Sequence, residues 1–310
     1  MKRVSKYFLF SIIIFSLCLK FTAQQLKKEI LFKHYDPVEY DFPAQILSIA
    51  EDSLGIKYFG TTSGILIYDG SIWKKLKTTF TVWSLFSGEN GRIYVGGEND
   101  FGQIKTSENG NLLFQSTADD INNKFELQNQ DFRNITSKNH IIYFASQQTL
   151  FSYNSLTKQV REIFLPIENK VNILRSMFTL DNNQYVHIEN QGLYIYDTQF
   201  KKLPTEKSDE FSNNFITSGV KTKNELFFIS SKNIIYNLKD NLLKRSKFKI
   251  YQDHSSPVIT IDEKFNFVIY SLNDGLSLYN SKFELSNDMS TVSSNCHMWD
   301  NNGDLWIGAL

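Results

Sequence analysis

Residues 45–76 of the chain, QILSIAEDSLGIKYFGTTSGILIYDGSIWKKL, contain four short apolar runs separated by turn-forming residues. The runs are rich in β-branched and aromatic residues, which favour strands, and each gap contains Gly, Asp or Ser, which favour turns. This pattern predicts a four-stranded antiparallel meander. A single sheet of this size cannot bury both of its apolar faces alone, so we expect further copies along the chain.

Further copies follow, and they are easiest to see at the aromatic residue of the second run. Tyr58 has counterparts about 40 residues apart along the chain, a spacing typical of four-stranded propeller blades. The counterparts are Tyr94, Tyr143, Tyr185, Phe227, Val268 and Trp306. No stretch after residue 25 shows a competing helical period. The sequence therefore predicts an all-β protein, a β-propeller of seven four-stranded blades with the last blade incomplete.

The repeat also predicts the domain boundaries. We expect a signal peptide at residues 1–23, an N-terminal arm at residues 24–44 and the propeller at residues 45–310. The arm should supply one strand, over residues 30–35, that completes the last blade. Because the chain stops just after the second run of its last repeat, we also expect it to be the front part of a longer protein. The blades are expected near residues 45–76, 81–116, 131–165, 171–203, 215–248, 256–285 and 293–310, the last being partial.

The first residues have the layout of a secretory signal peptide. Lys2 and Arg3 give a positively charged start, and an apolar stretch runs from residue 7 to residue 19 before a cleavage site after Ala23. An uncleaved membrane anchor is the alternative, but the apolar run is short for a span of ~20 residues. We therefore expect a periplasmic or otherwise exported protein.

Composition argues against several classes of protein. The 33 Lys and Arg residues balance 33 Asp and Glu residues, so the chain has no electrostatic footprint for nucleic acid. Two cysteines are too few for a disulfide scaffold. The five histidines show no ligand spacing, and Asp52 and Asp300 begin Asp-x-x-Gly motifs that are better explained as turns than as metal or catalytic sites. We expect no metal, no cofactor and no nucleic-acid partner.

The repeat unit resembles that of the two-component-regulator propeller family. The similarity is clearest over residues 52–61, DSLGIKYFGT, followed by Ser63-Gly64-Ile65 and Tyr68-Asp69. A second good copy is DNNGDLWIG, residues 300–308. The resemblance covers residues 30–310 and implies the periplasmic sensor propeller of a bacterial signal-transduction or transcription regulator.

In relatives of this kind, a triple-tyrosine sandwich domain and a membrane helix that anchors the protein in the inner membrane follow the propeller. A histidine kinase or a helix-turn-helix domain comes last. This sequence contains none of those parts, so the resemblance implies the sensing portion without its output domain. A homodimer is compatible with the same resemblance.

Candidate ligand-binding residues lie near the start of the first strand of each repeat. In a propeller this strand is innermost, so these positions form a ring near one mouth of the axial channel. Arginines in adjacent repeats suit a carboxylate or sulfate, and a tryptophan suits a sugar ring. The alternative is that the ring plugs the channel or pairs with backbone carbonyls. The positions are Leu47, Trp83, Arg133, Arg175, Thr217, Ile259 and Asn295, of which Trp83, Arg133, Arg175 and Asn295 are the candidates.

Three functions remain after these observations. The first is a sensor that binds a periplasmic oligosaccharide or an anionic small molecule on one propeller face. The second is a protein-interaction scaffold with no small ligand. The third, a propeller lyase or glycosidase, ranks last because no paired carboxylates or His/Tyr set align at the mouth, so we expect the chain itself not to be an enzyme.

Overall fold

The computed structural model of the chain describes residues 33–42, 45–89, 91–118, 127–167, 172–250, 257–262, 266–271, 275–289 and 296–308. The chain divides into two compact units, Met1–Asp41 and Phe42–Leu310. The predicted signal peptide lies outside the described residues, as do residues 30–32 of the strand predicted in the N-terminal arm; the described residues 33–35 form no strand.

The described part of the first unit contains one helical turn, α1 (Pro37–Tyr40). Asp36 caps it, because its side chain accepts a hydrogen bond from the Val38 backbone N–H at 2.8 Å. In return Glu39 accepts one from the Asp36 backbone N–H at 2.9 Å. This reciprocal capping box satisfies two amide groups that a helix start otherwise leaves without partners.

The second unit is an all-β propeller built from six four-stranded antiparallel sheets among the described residues. In each sheet the strands are ordered as they occur in the chain. The first three blades comprise β1 (Ile46–Glu51), β2 (Lys57–Thr61), β3 (Gly64–Tyr68) and β4 (Trp73–Lys77); β5 (Val82–Ser87), β6 (Ile93–Gly97), β7 (Phe101–Thr106) and β8 (Leu112–Ser116); and β9 (Asn134–Lys138), β10 (Ile141–Ala145), β11 (Leu150–Asn154) and β12 (Val160–Ile163).

The next three blades have the same organisation. They comprise β13 (Leu174–Leu180), β14 (Asn183–Ile188), β15 (Gly192–Tyr196) and β16 (Phe200–Lys202); β17 (Ile216–Lys221), β18 (Leu226–Ser230), β19 (Ile234–Lys239) and β20 (Leu242–Lys249); and β21 (Val258–Ile261), β22 (Phe267–Ser271), β23 (Gly275–Tyr279) and β24 (Leu285–Met289). Two further strands, β25 (Cys296–Trp299) and β26 (Leu305–Gly308), pair only with each other.

The prediction of seven four-stranded blades is therefore wrong, because the propeller has six. The signals of the seventh repeat, the turn at Asp300 and the aromatic at Trp306, belong to the first half of the repeat unit only. A blade requires four paired strands, and the described residues 296–308 supply two. This two-stranded sheet packs between the first and sixth blades, where Trp306 contacts Phe59 with ring centres 5.8 Å apart and His297 contacts Tyr270 at 4.0 Å.

The hydrophobic core lies between blades. The first strands of successive blades lie side by side, from β1 to β21. Five core clusters of described residues each join two neighbouring blades, so each sheet buries its faces against the next. The repeat aromatics Tyr58, Tyr94 and Tyr185 are buried in them, and Tyr185 packs edge-on against Phe228 of the next blade at 5.1 Å. This burial confirms the prediction that each sheet buries its apolar faces against neighbouring copies of itself.

The meander topology places the loops on two opposite faces of the propeller. The links between blades and the loops between second and third strands emerge on the same side, because alternate strands run in opposite directions. We call this side the link face; it carries residues 203–215 and the start of every first strand. The opposite side carries the Asp-x-x-Gly turns. A bridge between Glu98 and Asp131 and a hydrogen bond from Asn213 to Asn190 tie loops together on the link face.

Candidate functional site on the link face

In four blades, the first strand carries a β-bulge at the position predicted for the ring of ligand-binding residues. In β1 the pairing with β2 shifts between Ile46 and Ser48, and the equivalent shift recurs in three other blades. A bulge leaves one residue outside the regular ladder and redirects its side chain. The repeat alignment therefore identified positions that share a backbone geometry. The bulged residues are Leu47, Trp83, Arg175 and Thr217.

Trp83 and Arg133 meet in one cluster, which spans the second and third blades. The indole Nε1 of Trp83 donates a hydrogen bond to Asp131 Oδ1 at 3.0 Å. Arg133 donates from Nη2 to Asp131 Oδ2 at 2.8 Å, and its guanidinium lies 3.7 Å from the centre of the Trp83 ring. Each side chain is thus held by the other two. The Arg133 and Asp131 side chains are 49% and 35% exposed, so the cluster remains accessible to a ligand.

Arg175 forms a second cluster of the same composition across the fourth and fifth blades. Its Nη2 donates to Oε1 of Glu189, which directly follows β14. Its guanidinium lies 5.2 Å from the ring centre of Phe215, the residue before β17. Aromatic rings attract guanidinium groups through their negative faces. Both clusters therefore combine an arginine, a carboxylate and an aromatic ring.

His187 is a buried neighbour of the second cluster. Its side chain is fully buried, packs edge-on against Phe211 at 4.8 Å and accepts a hydrogen bond at Nδ1 from the Ile216 backbone N–H at 3.3 Å. Burial, and to a smaller extent the charge of Arg175, lower the pKa of His187 to about 3. The imidazole is therefore neutral at physiological pH, and its Nε2 has no hydrogen-bond partner among the described residues.

The remaining ring positions do not join these clusters. The backbone oxygens of Ile229, at 3.1 Å, and of Pro257 share the hydrogen of the Thr217 hydroxyl. Thr217 thus follows the alternative given from sequence, in which a ring residue pairs with backbone carbonyls. Ile259 is 3% exposed and belongs to the core between the fifth and sixth blades. Asn295 lies outside the described residues.

Sequence reasoning missed three members of the clusters, namely Asp131, Glu189 and Phe215. Asp131 is two residues before Arg133, and Phe215 is two residues before Thr217, so both lie in the links that precede first strands. Their presence changes the electrostatics of the site, because each arginine is already paired with a carboxylate. The site therefore presents balanced donors and acceptors beside aromatic rings, and not a strong net positive charge.

Two cavities open elsewhere on the link face, on either side of the link between the fourth and fifth blades. Their volumes are about 390 and 190 Å³, and none of the predicted ring residues lines them. The larger is lined by Asn190, Gln191, Lys202, Leu203, Pro204, Thr205, Ser208, Phe211 and Ser212. The smaller is lined by Lys207, Asp209, Glu210, Ser212, Asn214, Lys232, Ile234 and Arg245.

The acidic turns on the opposite face are structural, which confirms the interpretation from sequence. Asp52 Oδ1 accepts hydrogen bonds from the backbone N–H groups of Leu54, at 2.9 Å, and Ile56, at 3.0 Å. Its other oxygen accepts one from the Tyr58 hydroxyl at 3.1 Å. Asp300 repeats this arrangement, with Trp306 Nε1 as the side-chain donor at 2.9 Å. Both carboxylates therefore hold their own turns, and Asp300 Oδ2 also lies 3.2 Å from Lys57 Nζ of the first blade.

No group of three or more His, Cys, Asp or Glu side chains within the described ranges is arranged to hold a metal ion. Among the same residues, no helix has the length and apolar character needed to cross a membrane.

Comparison with known proteins gives the class of fold. No family profile and no curated protein matches the chain. Among solved structures, it is similar to the extracellular domain of BT4673 from B. thetaiotaomicron, described as a one-component or hybrid two-component system (TM-score 0.66, 16% identity, 86% of this chain and 37% of that chain).

Two other solved structures are similar at the same level. One is the extracellular domain of the hybrid two-component system BT3049 from B. thetaiotaomicron (TM-score 0.61, 15% identity, 89% of this chain and 40% of that chain). The other is virginiamycin B lyase from Staphylococcus aureus (TM-score 0.65, 14% identity, 86% of this chain and 92% of that chain). At these identities the similarity shows the propeller fold, which sensors and lyases share. The chain spans well under half the length of the two sensor domains.

Proposed function

We propose that the propeller is the ligand-binding part of an extracytoplasmic bacterial sensor and that its link face receives the ligand. The observation that carries this proposal is the pair of matching clusters at Trp83–Asp131–Arg133 and Arg175–Glu189–Phe215, which are accessible, pre-organised and built on bulged first strands. The export-type N-terminal sequence, the regulator-type repeat and the similarity to extracellular domains of signalling systems support the same function.

The clusters favour a neutral or weakly acidic oligosaccharide over a free anion. A free anion would have to compete with Asp131 and Glu189 for the two arginines. Sugar hydroxyl groups both donate and accept, so they can bridge an arginine and its carboxylate without separating them. The ring of Trp83 also offers an apolar edge to the C–H face of a sugar.

A thermal-shift panel of neutral and acidic oligosaccharides, followed by calorimetry on any ligand found, tests this proposal. We expect Trp83→Ala and Arg175→Gln each to weaken binding by about tenfold or more, because a buried stacking or charge-assisted contact contributes about 1.4 kcal/mol or more. Arg161→Gln is the matched control: this arginine lies on the outer strand β12, and its side chain donates to Gln159 at 3.4 Å. Undiminished binding in both cluster variants would contradict the proposal.

We also propose that the chain acts by binding and not by catalysis. The carboxylates of both clusters are paired with arginines, which leaves neither as a free general base. Since lyases share the fold, incubation with virginiamycin B followed by mass spectrometry is a direct check. An unchanged antibiotic is expected, whereas a linearised product would assign an enzyme. If no small ligand binds and a stoichiometric periplasmic protein is recovered instead, the scaffold function takes precedence.

A further inference from the structure

We propose that the two cavities beside the link between the fourth and fifth blades form one binding site for a small hydroxylated carboxylate. This site is separate from the arginine clusters and does not depend on the function proposed for them. The cavities adjoin at Ser212, which lines both, and the segment from Thr205 to Ser212 forms a wall of each. The smaller cavity takes the carboxylate, and the larger takes the hydroxylated body.

Arg245 is positioned in the smaller cavity by a buried network. The side chain of Glu210 is only 4% exposed, and its Oε1 accepts hydrogen bonds from Arg245 Nε at 2.7 Å and from the Tyr236 hydroxyl. Asn214 donates from Nδ2 to that hydroxyl at 3.1 Å. Arg245 donates to Glu210 through Nε, and its guanidinium also lies beside the Tyr236 hydroxyl. Among the described residues neither Nη1 nor Nη2 is paired with a carboxylate, so a ligand carboxylate can take the edge that they form. That edge matches a planar carboxylate with two parallel hydrogen bonds.

The charges lining the smaller cavity favour a single negative charge on the ligand. Glu210 and Arg245 neutralise each other. Of the other lining groups, Lys207 and Lys232 are positive and Asp209 is negative, which leaves one net positive charge. Neither lysine forms an ion pair with another described residue. A monoanion therefore completes the charge balance of the cavity.

The larger cavity carries one cation, Lys202, and its other lining groups are uncharged, so it is suited to a polar body rich in hydroxyl groups. The side chains of Asn190, Thr205 and Ser208 line it. Asn190 Oδ1 already accepts from the Asn213 backbone N–H, and the Thr205 hydroxyl already donates to the Lys207 backbone oxygen, so the Asn190 NH2 group, the Thr205 lone pairs and the Ser208 hydroxyl are the polar groups offered to a ligand. The ring of Phe211 adds an apolar surface for C–H groups. Its volume of about 390 Å³ accommodates a six-carbon polyol chain. The ligand class that fits both cavities is a sugar acid.

Calorimetry with D-gluconate and D-glucitol at low salt tests the site, because the two molecules differ only in the carboxylate. We expect gluconate to bind and glucitol not to bind measurably. The Lys207→Gln/Lys232→Gln variant should weaken gluconate binding roughly tenfold, since both lysines are exposed and contribute charge without supporting the fold. Lys105→Gln/Lys239→Gln is the matched control with the same change of charge, and it should bind like the wild type.

Two further variants separate the possible outcomes. Arg245→Lys keeps the charge but loses the planar two-donor edge, so it should bind gluconate more weakly while still folding. Arg161→Gln, which removes an arginine on the outer strand β12, should leave gluconate binding unchanged. Equal binding of glucitol, equal binding of sulfate or phosphate, or full affinity in Lys207→Gln/Lys232→Gln would each overturn the proposal. So would the absence of gluconate binding.

Discussion

Lys57 provides the sharpest test of how the first blade is joined to the two-stranded sheet. Its Nζ lies 3.1 Å from Glu51 Oε1 in the first blade and 3.2 Å from Asp300 Oδ2, in the turn between β25 and β26. The three side chains are only 9%, 6% and 2% exposed. One ammonium therefore pairs with two buried carboxylates that come from opposite ends of the propeller sequence.

Lys57→Met keeps the apolar stem and removes the charge, so both carboxylates are left buried without their cation. Removal of one partner from a buried ion pair costs about 3–5 kcal/mol, and we expect a loss of unfolding free energy in that range. Glu51→Gln/Asp300→Asn combined with Lys57→Met should recover part of the loss, because no uncompensated charge then remains.

The same ion pairs define a pH window. Burial alone would raise the pKa of Asp300, but hydrogen bonds from Trp306, the turn backbone and Lys57 lower it below its ordinary 3.8. Burial alone would lower the pKa of Lys57, whereas Glu51 and Asp300 raise it above 10.5. The stabilisation is therefore complete between about pH 4 and pH 10 and is lost below and above that window.

Urea unfolding followed by tryptophan fluorescence at pH 7 measures the effect. Lys105→Met, at an exposed position of the second blade, is the control and should change stability by less than about 0.5 kcal/mol. If Lys57→Met unfolds at the same urea concentration as this control, the ion pairs do not hold the two sheets together.

The remaining predictions concern packing and titration. Gly96→Ala would place a Cβ 2.3 Å from the Phe132 backbone oxygen, so we expect a loss of about 2 kcal/mol or more. Gly110→Ala, where nothing lies within 4 Å and only the φ of +79° is unfavourable, should cost about 1 kcal/mol, and equal urea midpoints would contradict this ranking. The pKa of His187 is lowered to about 3 in the folded protein, so its imidazole takes up a proton more readily in the unfolded chain. The free energy of unfolding should therefore fall as the pH decreases from 6.5 towards 3. In His187→Gln, the number of protons taken up on unfolding between pH 6.5 and pH 3 should fall by up to one, as measured from the pH dependence of the unfolding free energy. An unchanged pH dependence would refute the assignment.

Much of the fold was predictable because it depends on local sequence. The turn at Asp52 and the buried aromatics at Tyr58 and Tyr94 occupy matching positions in their repeats. The turn follows from hydrogen bonds to its own backbone, and the aromatics follow from the need of each sheet to bury its apolar faces. The number of blades was not predictable in the same way. The stretch from Cys296 to Gly308 carries the signals of a repeat, but its turn and aromatic specify one strand pair and not a four-stranded sheet.

The candidate site was predictable only in part, for a geometric reason. The repeat alignment located Trp83 and Arg175, because bulged positions recur with the strand register. It did not locate Asp131 or Glu189, because these carboxylates belong to loops whose lengths vary between blades. Which loop side chain reaches which arginine depends on how neighbouring blades are packed, and sequence spacing does not determine that packing.

A crystal structure of the protein with an oligosaccharide identified in the thermal-shift panel would test the central claim most directly. The account predicts the sugar on the link face, with one ring beside Trp83 and its hydroxyls bridging Arg133 or Arg175 to their carboxylates. A ligand bound on the opposite face, among the Asp-x-x-Gly turns, with both arginine clusters unchanged and free of contacts would contradict it.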